Sequence, residues 1–336
     1  MNKFLVIQTA FIGDVVLATS LLEKLNASYP NAQIDILVRK GNESLFANHP
    51  FIHETLVWNK KKQKYQHLFQ LLFQIRKSKY DVVINVQRYA ATGFLTAFSG
   101  AKNKIGFHNN PFAFLFTTTI QHQFSYTSDK VIHEIERNQQ LITSITNNAV
   151  AKPRLYPSES DYATVEKWQN EPYICIAPAS VWFTKQFPTE KWISFIQTIP
   201  IQYTIYLLGA PTDKPLCDTI VNQCASKKIE NLAGKLTFLQ SAALQKKAVM
   251  NYVNDSAPMH FASSVNAPTT AIYCSTIPSF GYGPLSEQQF IVESTIPLAC
   301  RPCGLHGHAS CPEKHFHCAM HITNEQLLAS LPITFQ

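Results

Sequence analysis

The N-terminal segment FLVIQTAFIGDVVLATSLLEKL, residues 4–25, contains the pattern that decides the fold. Phe4–Ile7 is a short apolar run, which is typical of a buried strand. After a loop, apolar residues recur at three- and four-residue spacing from Val15 to Leu25 and define one face of a helix. A strand that leads through a loop into a helix is the building unit of an α/β fold.

Strand and helix patterns alternate along the rest of the chain and restart after residue 171. The predicted strands are Ile34–Val38, Asp81–Val86, Tyr173–Ala177, Tyr203–Leu208, Ala248–Val253 and Thr269–Cys274. The predicted helices are Lys60–Lys79, Asp129–Ile145, Thr189–Ile196, a segment that begins near Asp213, and Ser256–Val265. Such alternation requires parallel sheets with right-handed crossovers. The sequence therefore predicts an α/β protein with two Rossmann-like domains whose parallel sheets face each other across a cleft.

Residues 150–171 divide the chain, because they carry Pro153 and Pro157 and have few apolar pairs. This composition is typical of an interdomain linker. The parts we expect are an N-terminal domain over 1–155, a C-terminal domain over 172–321, and a C-terminal helix over 322–336. We expect that helix to pack back on the N-terminal domain.

The composition limits the class of protein. Hydrophobic residues make up 46% of the 336 residues and charged residues only 15%, a balance that excludes a disordered chain. Apolar runs such as Phe112–Phe116 are far shorter than the roughly 18 residues of a membrane span. The first residues do not resemble a secretory signal, so we expect a cytoplasmic protein. The net charge of +7 favours anionic partners: nucleotides, phosphorylated sugars, nucleic acid or an acidic membrane face.

The loop after the first strand ends in Ile12-Gly13-Asp14. It lacks the G-x-G-x-x-G of dinucleotide-binding folds, and the sequence has no Walker A pattern. Two roles stay open for Asp14 at the start of the predicted helix. It caps the helix, since carboxylates are favoured there, or it projects from the strand end as a general base.

Two loops of the second half have residues that suit an anionic ligand. Lys185, in the loop 178–188, is a candidate to neutralise a phosphate, and an ordinary surface lysine is the alternative. Ser256 suits the N-cap and Pro258 the first turn of a helix, whose free N–H groups bind phosphate. Asp255, which precedes that helix, is a candidate acceptor for the protons of sugar hydroxyls.

Several segments together resemble glycosyltransferase family 9, the lipopolysaccharide heptosyltransferases. They keep the order and spacing of that family from residue 4 to about residue 321. The matching segments are Phe4–Ile7 with Ile12–Leu17, Ile105–Phe107, His133 with Arg137–Asn138, Thr184–Pro188, Asn231–Gly234 and Asn254–His260. Phe187 stands where the family has Trp. Ala257 replaces the usual Gly, which slightly tightens the space near the phosphates.

The resemblance implies a GT-B fold and an inverting glycosyl transfer that needs no metal. It implies ADP-L-glycero-D-manno-heptose as the donor and the lipopolysaccharide inner core, or Kdo-lipid A, as the acceptor. The domain 1–155 then binds the acceptor and the domain 172–321 the nucleotide sugar, and Asp14 matches the family's proposed base. The donor-binding residues expected from the resemblance are Gly13, Ser180, Thr184, Lys185, Asp213, Asp255, Ser256, Ala257, Pro258, Met259 and His260.

The basic segment from Lys60 to Lys79 is interleaved with apolar residues. It suits an anionic membrane face or the phosphates of lipid A, and a helix with a solvated basic face is the alternative. Lys62 and Lys64 in this segment, and Arg88 after a strand, are the predicted acceptor contacts. We therefore expect peripheral contact with the inner membrane face and no nucleic-acid partner.

Four of the eight cysteines fall within 19 residues near the C-terminus. They are Cys300, Cys303, Cys311 and Cys318. One C-x2-C pair and several nearby histidines resemble a structural zinc site, while disulfides and free thiols stay open as alternatives. We expect no cofactor in catalysis, and zinc, if it binds, has a structural role.

Two other functions fit parts of this pattern. A sugar-nucleotide epimerase or hydrolase of the same fold needs a second acid or base but no acceptor surface. A catalytically silent nucleotide-sugar-binding protein has no need of a carboxylate at position 14. The sequence predicts a heptosyltransferase and leaves these two as alternatives.

Overall fold

The chain forms two compact units in the computed structural model, which describes residues 3–61, 63–124 and 131–332. The N-terminal unit comprises the described residues up to Phe124 together with Ile132–Tyr156. The C-terminal unit comprises Val131 and the described residues from Pro157 onward. The division after Tyr156 falls beside the expected domain end at residue 155.

The N-terminal unit is built on a six-stranded sheet in which neighbouring strands are parallel. The strands are β1 (Lys3–Ile7), β2 (Gln33–Arg39), β3 (Ile52–Trp58), β4 (Val82–Asn85), β5 (Asn103–Phe107) and β6 (Thr118–Ile120). The helices are α1 (Ile12–Ser28), α2 (Lys64–Ser78), α3 (Ala90–Ala97) and α4 (Glu134–Gln140). The strand order β3-β2-β1-β4-β5-β6 is that of a doubly wound nucleotide-binding sheet.

The centre of this sheet is buried because its strands are continuous apolar runs. Val6 of β1 pairs in register with Ile36 of β2 on one side and Ile84 of β4 on the other. All three side chains are fully buried. Strands covered on both faces need no polar alternation, which is why Phe4–Ile7 is apolar throughout.

The C-terminal unit repeats the same plan. Its strands are β7 (Tyr173–Ala177), β8 (Thr204–Leu207), β9 (Ile229–Asn231), β10 (Met250–Asn254), β11 (Thr269–Tyr273) and β12 (Gln289–Glu293). Its helices are α5 (Glu159–Val165), α6 (Thr189–Thr198), α7 (Lys214–Gln223), α8 (Phe238–Lys247), α9 (Ala257–Ser264), α10 (His317–Met320) and α11 (Asn324–Leu328). The parallel strands lie in the order β12-β11-β10-β7-β8-β9, so the order reverses between β7 and β10. Ligands of such sheets bind at this point, beyond the carboxyl ends of the strands.

The second half of the expected linker contains a helix. A reciprocal capping box starts α5: Asp161 N–H donates to Ser158 Oγ at 3.2 Å, and Ser158 N–H donates to Asp161 Oδ2 at 2.9 Å. Val165, at the end of α5, is fully buried in the core of the C-terminal unit. The prediction of a linker over 150–171 is therefore wrong after Tyr156, because a Ser-x-x-Asp helix start outweighs the prolines.

The C-terminal helix is shorter than expected and packs within the C-terminal unit. Leu327 of α11 is fully buried in the core of that unit, and Tyr252 Oη donates to the Leu327 carbonyl at 3.2 Å. Packing of this segment on the N-terminal domain stays a prediction, and residues 333–336 lie outside the described residues. None of the helices in the described part of the chain is long and apolar enough to cross a membrane.

Candidate active site

The loops that follow β7 and β10 form the core of the site in the C-terminal unit. Asn254 ends β10, and its fully buried side chain ties down the loop after β7. Its Nδ2 donates to the Pro178 carbonyl at 2.8 Å, and its Oδ1 accepts from Phe187 N–H at 2.9 Å. Asn254 therefore positions the segment that carries Lys185, a role that our sequence reasoning did not assign, although a polar residue at a buried strand end was visible.

Lys185 and Asp255 form an ion pair at the switch point of the sheet. Lys185 Nζ lies 2.7 Å from Asp255 Oδ2, and the two side chains are only 16% and 10% exposed. Thr276 Oγ1 donates to the same carboxylate oxygen at 2.7 Å. Lys185 is thus not an ordinary surface lysine, and the two residues predicted for phosphate and sugar lie side by side.

The start of α9 differs from the expected helix cap. Ser256 occupies the N-cap position, but its side chain accepts no hydrogen bond from the helix, so the predicted capping role is wrong. Its hydroxyl instead faces the Asn254 carbonyl at 3.4 Å. Ala257 and Pro258 are half-buried beside it. Because its own serine does not cap this helix, the polar start of α9 suits an anionic group.

Met259 and His260 lie deeper than the residues before them. Met259 is fully buried, and Tyr273 Oη donates to its sulfur at 3.7 Å. His260 is 5% exposed. Their side chains belong to the packing beneath the helix start, so any ligand contact in this segment falls mainly to Ser256, Ala257 and Pro258.

Thr184 uses its hydroxyl within the protein. It is buried, and its Oγ1 accepts from His308 N–H at 2.7 Å and from Ser275 Oγ at 3.0 Å. Its backbone N–H donates to the His308 carbonyl at 3.1 Å. These bonds make Thr184 the joint between the lysine loop and the cysteine-rich segment, rather than an open donor to a ligand. Ser180, in the same loop, is half-buried, and its carbonyl accepts from Gln186 Nε2 at 2.7 Å.

Asp213 follows β8, whose carboxyl end lies at the same edge of the sheet. Its Oδ2 accepts from Ala210 N–H at 2.8 Å and so closes the turn that starts the next helix. This bond gives Asp213 a local structural role. A contact with ribose or adenine stays a prediction.

In the N-terminal unit, Asp14 is the third residue of α1 and is half-buried. The N-cap is Phe11, which makes no side-chain capping bond. Asp14 therefore does not occupy the capping position, which was one of its two predicted roles. It still lies in the first turn of the helix, where a carboxylate is favoured. Gly13 precedes it and is half-buried as well.

The loop before Asp14 is held by two neighbouring strands. Gln87, after β4, accepts through Oε1 from Thr9 N–H at 3.1 Å and from Thr9 Oγ1 at 2.7 Å. Lys60, after β3, donates from Nζ to the Thr9 carbonyl at 2.8 Å. Burial, together with the nearby charges of Arg39 and Lys64, lowers the pKa of Lys60 to about 8.

A cavity of about 580 Å³ opens beside this loop. Lys60, Lys64 and Gln87 line it together with a set of aromatic rings. The rings are Trp58, Tyr65, Tyr89, Phe94 and Phe112. Aromatic faces and cations at the carboxyl ends of strands suit an anionic sugar. We missed Lys60 in the sequence because it belongs to a run of lysines with no sign of which one is buried.

The other predicted acceptor residues have different outcomes. Lys64 lines this cavity, and its contact with the acceptor stays a prediction. Arg88 is exposed and does not line it; its guanidinium lies 5.3 Å from the centre of the Phe124 ring. Lys62 lies outside the described residues.

The four clustered cysteines lie around a second cavity, of about 290 Å³, in the C-terminal unit. Their thiols are free, and burial raises the pKa of Cys318 to about 11. Within the described ranges, the only three candidate ligand atoms within 4.8 Å of one another belong to Asp35, His53 and Glu54 on β2 and β3. The cysteines therefore share a cavity, but their sulfurs do not converge on one point.

A glycine brings this cysteine-rich segment against the lysine loop. Gly307 has φ +75°, and a Cβ there would lie 2.7 Å from Thr184 Oγ1 and 3.2 Å from Lys185 Cγ. Only glycine combines this backbone conformation with so close an approach. The segment 300–318 thus braces the loop that presents Lys185.

The whole chain is similar in structure to solved glycosyltransferases. The E. coli ADP-heptose lps heptosyltransferase II matches with a TM-score of 0.78 at 21% identity, over 98% of this chain and 97% of that one. The glycosyl transferase family 9 protein from Veillonella parvula matches with a TM-score of 0.81 at 20% identity, over 98% and 95%. The fold is therefore the GT-B fold of two Rossmann-like units, as the sequence predicted.

Sequence comparison defines the family. The model of glycosyltransferase family 9 (heptosyltransferase) matches residues 68–315. Among curated proteins, lipopolysaccharide heptosyltransferase 3 of E. coli is 26% identical over 285 residues, 79% of this chain and 82% of that protein. The chain belongs to glycosyltransferase family 9 and is a glycosyltransferase.

Proposed function

We propose that this enzyme transfers heptose, with inversion, from ADP-L-glycero-D-manno-heptose to the inner core of lipopolysaccharide. The proposal is supported by the activities of its relatives and by one observation in this chain. That observation is the Lys185–Asp255 pair at the switch point of the C-terminal sheet. A nucleotide-sugar site needs a cation for the diphosphate and an acceptor for the sugar hydroxyls, and Lys185 and Asp255 supply these two groups.

On the donor side, Lys185 neutralises the diphosphate. The ammonium group is mostly withdrawn from water, so its attraction for a phosphate oxygen is stronger than that of an exposed lysine. The N–H groups at the start of α9 add hydrogen bonds to the same anion. Asp255 accepts hydrogen bonds from hydroxyls of the heptose.

Transfer is a single in-line displacement. Asp14 removes the proton of the acceptor hydroxyl, and the oxygen forms a bond to the anomeric carbon of the heptose. The bond between that carbon and the diphosphate breaks at the same time, and ADP leaves with the electron pair. Lys185 and the amides at the start of α9 stabilise the charge that develops on ADP. The products are the glycoside with inverted configuration, ADP and a proton.

The acceptor binds in the N-terminal unit. We assign its sugar to the aromatic cavity beside Thr9, where Lys60 and Lys64 pair with carboxylate or phosphate groups. Lys62 and Arg88 remain predicted contacts for parts of the acceptor outside this cavity. The enzyme then works in the cytoplasm, in peripheral contact with the inner membrane face that holds its lipid-linked acceptor.

A structural zinc ion at Cys300, Cys303, Cys311 and Cys318 is a separate proposal. The donor set suits zinc, and all four cysteines line one cavity. Tetrahedral zinc requires sulfurs about 3.8 Å apart, closer than this arrangement provides, so the segment must tighten around the ion. Zinc there stabilises the brace behind Lys185 and takes no part in transfer.

The experiment that tests the function is incubation with ADP-heptose and lipopolysaccharide cores truncated at each step. One truncated core should gain the mass of a heptosyl residue, and ADP should appear. Release of ADP or free sugar without any acceptor would favour the hydrolase or epimerase alternative. ADP-heptose binding with no turnover on any core would favour the silent binding protein.

A further inference from the structure

Helix α2 carries two apolar stripes, and only one of them serves the core. Its buried stripe consists of Leu68, Leu71, Leu72 and Ile75, which pack against the sheet of the N-terminal unit. Amphipathic helices of globular proteins bury one such stripe and expose polar residues elsewhere.

The second stripe of α2 consists of Tyr65, Phe69 and Phe73, at i, i+4 and i+8. These side chains are 70%, 50% and 69% exposed. Residues at this spacing lie on one face of a helix. Three large aromatic rings are therefore exposed to water on one face of α2. Such an exposed apolar patch lowers solubility and is typical of a surface that binds a partner.

The exposed rings continue onto the neighbouring elements of the same unit. Phe94 of α3 lies 5.8 Å from Phe69, 5.0 Å from Phe98 and 6.1 Å from Phe112, measured between ring centres. Phe112 in turn stacks on Phe114 at 6.5 Å. Phe98 is 41% exposed and Phe114 is 79% exposed. We define the aromatic face as Tyr65, Phe69, Phe73, Phe98 and Phe114. Ring contacts through Phe94 and Phe112 link Phe69 to Phe98 and Phe114, and Tyr65 and Phe73 share the helix face of Phe69.

The charge around the aromatic face is predominantly positive, although Glu54 accepts from Gln74 Nε2 on α2 at 3.0 Å. Residues 55–128 contain ten lysines and arginines and one acidic residue, Asp81. Arg76 and Lys77 lie in the last turn of α2, and Arg76 Nη1 donates to the Phe98 carbonyl at 3.0 Å. A protein interface is depleted of lysine and mixes both signs of charge, whereas an anionic bilayer selects exposed aromatic rings flanked by cations.

We propose that the aromatic face inserts into the interfacial layer of an anionic lipid bilayer. Phe69, Phe73, Phe98 and Phe114 enter the boundary between headgroups and acyl chains, and the surrounding lysines and arginines pair with lipid phosphates. The face adjoins the acceptor cavity, because Tyr65 belongs to both and Phe94 and Phe112 line that cavity. The benefit to catalysis rests on the proposed function: insertion would hold the acceptor cavity at the surface that carries a lipid-linked acceptor.

The test is vesicle sedimentation of the full chain, without donor or acceptor. Vesicles contain phosphatidylcholine with 30% phosphatidylglycerol, or phosphatidylcholine alone. Wild type should bind the anionic vesicles and bind the neutral ones much more weakly. The double variant Phe73→Ser/Phe114→Ser should lose at least about tenfold in partitioning, the scale for one buried phenyl group. Lys77→Gln should lose about fivefold on anionic vesicles only.

Two matched controls lie in the C-terminal unit. Ile201 is exposed to the same fraction as Phe73, 69%, so Ile201→Ser removes an exposed apolar side chain away from the face. Lys247, in the last turn of α8, is the control for the charge. Both control variants should partition like wild type. Circular dichroism and turnover of a soluble truncated core should be unchanged in the double variant, because neither phenylalanine lines the acceptor cavity.

Three results would overturn the inference. They are no binding of wild type to anionic vesicles, equal binding of the double variant, or a dimer of wild type that becomes a monomer when Phe73 and Phe114 are changed. The last result would assign the face to a second copy of the chain. Vesicle binding with no heptosyl transfer would instead overturn the proposed function and leave the membrane surface standing.

Discussion

Replacing Lys185 separates its role toward a ligand from its role in the fold. Lys185→Met removes the ammonium 2.7 Å from Asp255 and leaves that carboxylate 10% exposed, with Thr276 still donating to it. Breaking a buried pair costs about 3–5 kcal/mol, and the residual exposure of this pair reduces the cost to about 2–3 kcal/mol. For a unit of this size we expect the melting temperature to fall by roughly 4–12 °C.

The double variant Lys185→Met/Asp255→Asn removes both charges and leaves no unpaired ion. It should therefore be more stable than Lys185→Met, with a loss of about 1 kcal/mol. Affinity for ADP should follow a different pattern. Both variants lack the phosphate-binding cation, so calorimetry should give roughly 12–150-fold weaker binding of ADP in each, from a loss of about 1.5–3 kcal/mol.

The single variant Asp255→Asn completes the cycle. It keeps Lys185, so ADP should bind as in wild type, whereas ADP-heptose should bind more weakly because its sugar loses the carboxylate. Lys235→Met is the matched control, since Lys235 pairs with Glu230 at 3.1 Å in an exposed bridge of the same unit. Binding of ADP to Lys185→Met within twofold of wild type would refute the phosphate role.

Four further predictions concern other parts of the two units. Asp14→Asn should keep donor affinity and lower turnover by roughly 10²–10⁴-fold, as expected for loss of a general base. The KM for acceptor should rise as the pH passes through about 8, because Lys60 loses its proton there rather than near the ordinary lysine value, and Lys60→Arg should abolish this rise. Gly307→Ala should weaken ADP binding, because its Cβ presses on Thr184 and the Lys185 stem. Protein purified without chelator should carry about one equivalent of zinc, and Cys303→Ser should release it.

Each of these predictions has a contrary outcome. Near-normal turnover of Asp14→Asn would refute the role of Asp14 as the general base. An acceptor KM that is constant from pH 7 to pH 9.5 would remove Lys60 from the acceptor site. Gly304 has φ +67° with open space around its Cβ position, so Gly304→Ala is the control for backbone strain. Equal effects of Gly304→Ala and Gly307→Ala on ADP binding would refute the claim that the segment 300–318 braces the Lys185 loop. If elemental analysis finds no metal and every thiol titrates as free, the proposed zinc site is refuted.

The central strands could be predicted from the sequence because they are covered on both faces. Tyr173–Ala177 is such a run, and the predicted bounds match β7. The edge strands were missed for the opposite reason. β3 reads IHETLVW and β12 reads QFIVE, and each carries polar residues that the exposed edge of a sheet tolerates.

The sequence named Lys185 and Asp255 as separate candidates, but it did not predict that they pair. Lys185 and Asp255 come from loops 70 positions apart, and only the adjacency of β7 and β10 brings them together. The brace by Gly307 and the link between Lys60 and Thr9 depend on three-dimensional contacts that have no local pattern. The cysteine spacing resembled a zinc site, and the four residues do line one cavity, but the spacing did not determine the distances between their sulfurs.

The stoichiometry and stereochemistry of one reaction test the proposed heptosyl transfer most directly. Wild type is incubated with ADP-heptose and the truncated core that it accepts, and ADP, heptosylated core and the configuration of the new bond are measured together. We expect one ADP for each heptosyl residue transferred, an anomeric configuration opposite to that of the donor, and no ADP release when the core is omitted. Release of ADP without a core, or a product that retains the donor's configuration, would contradict inverting heptosyl transfer.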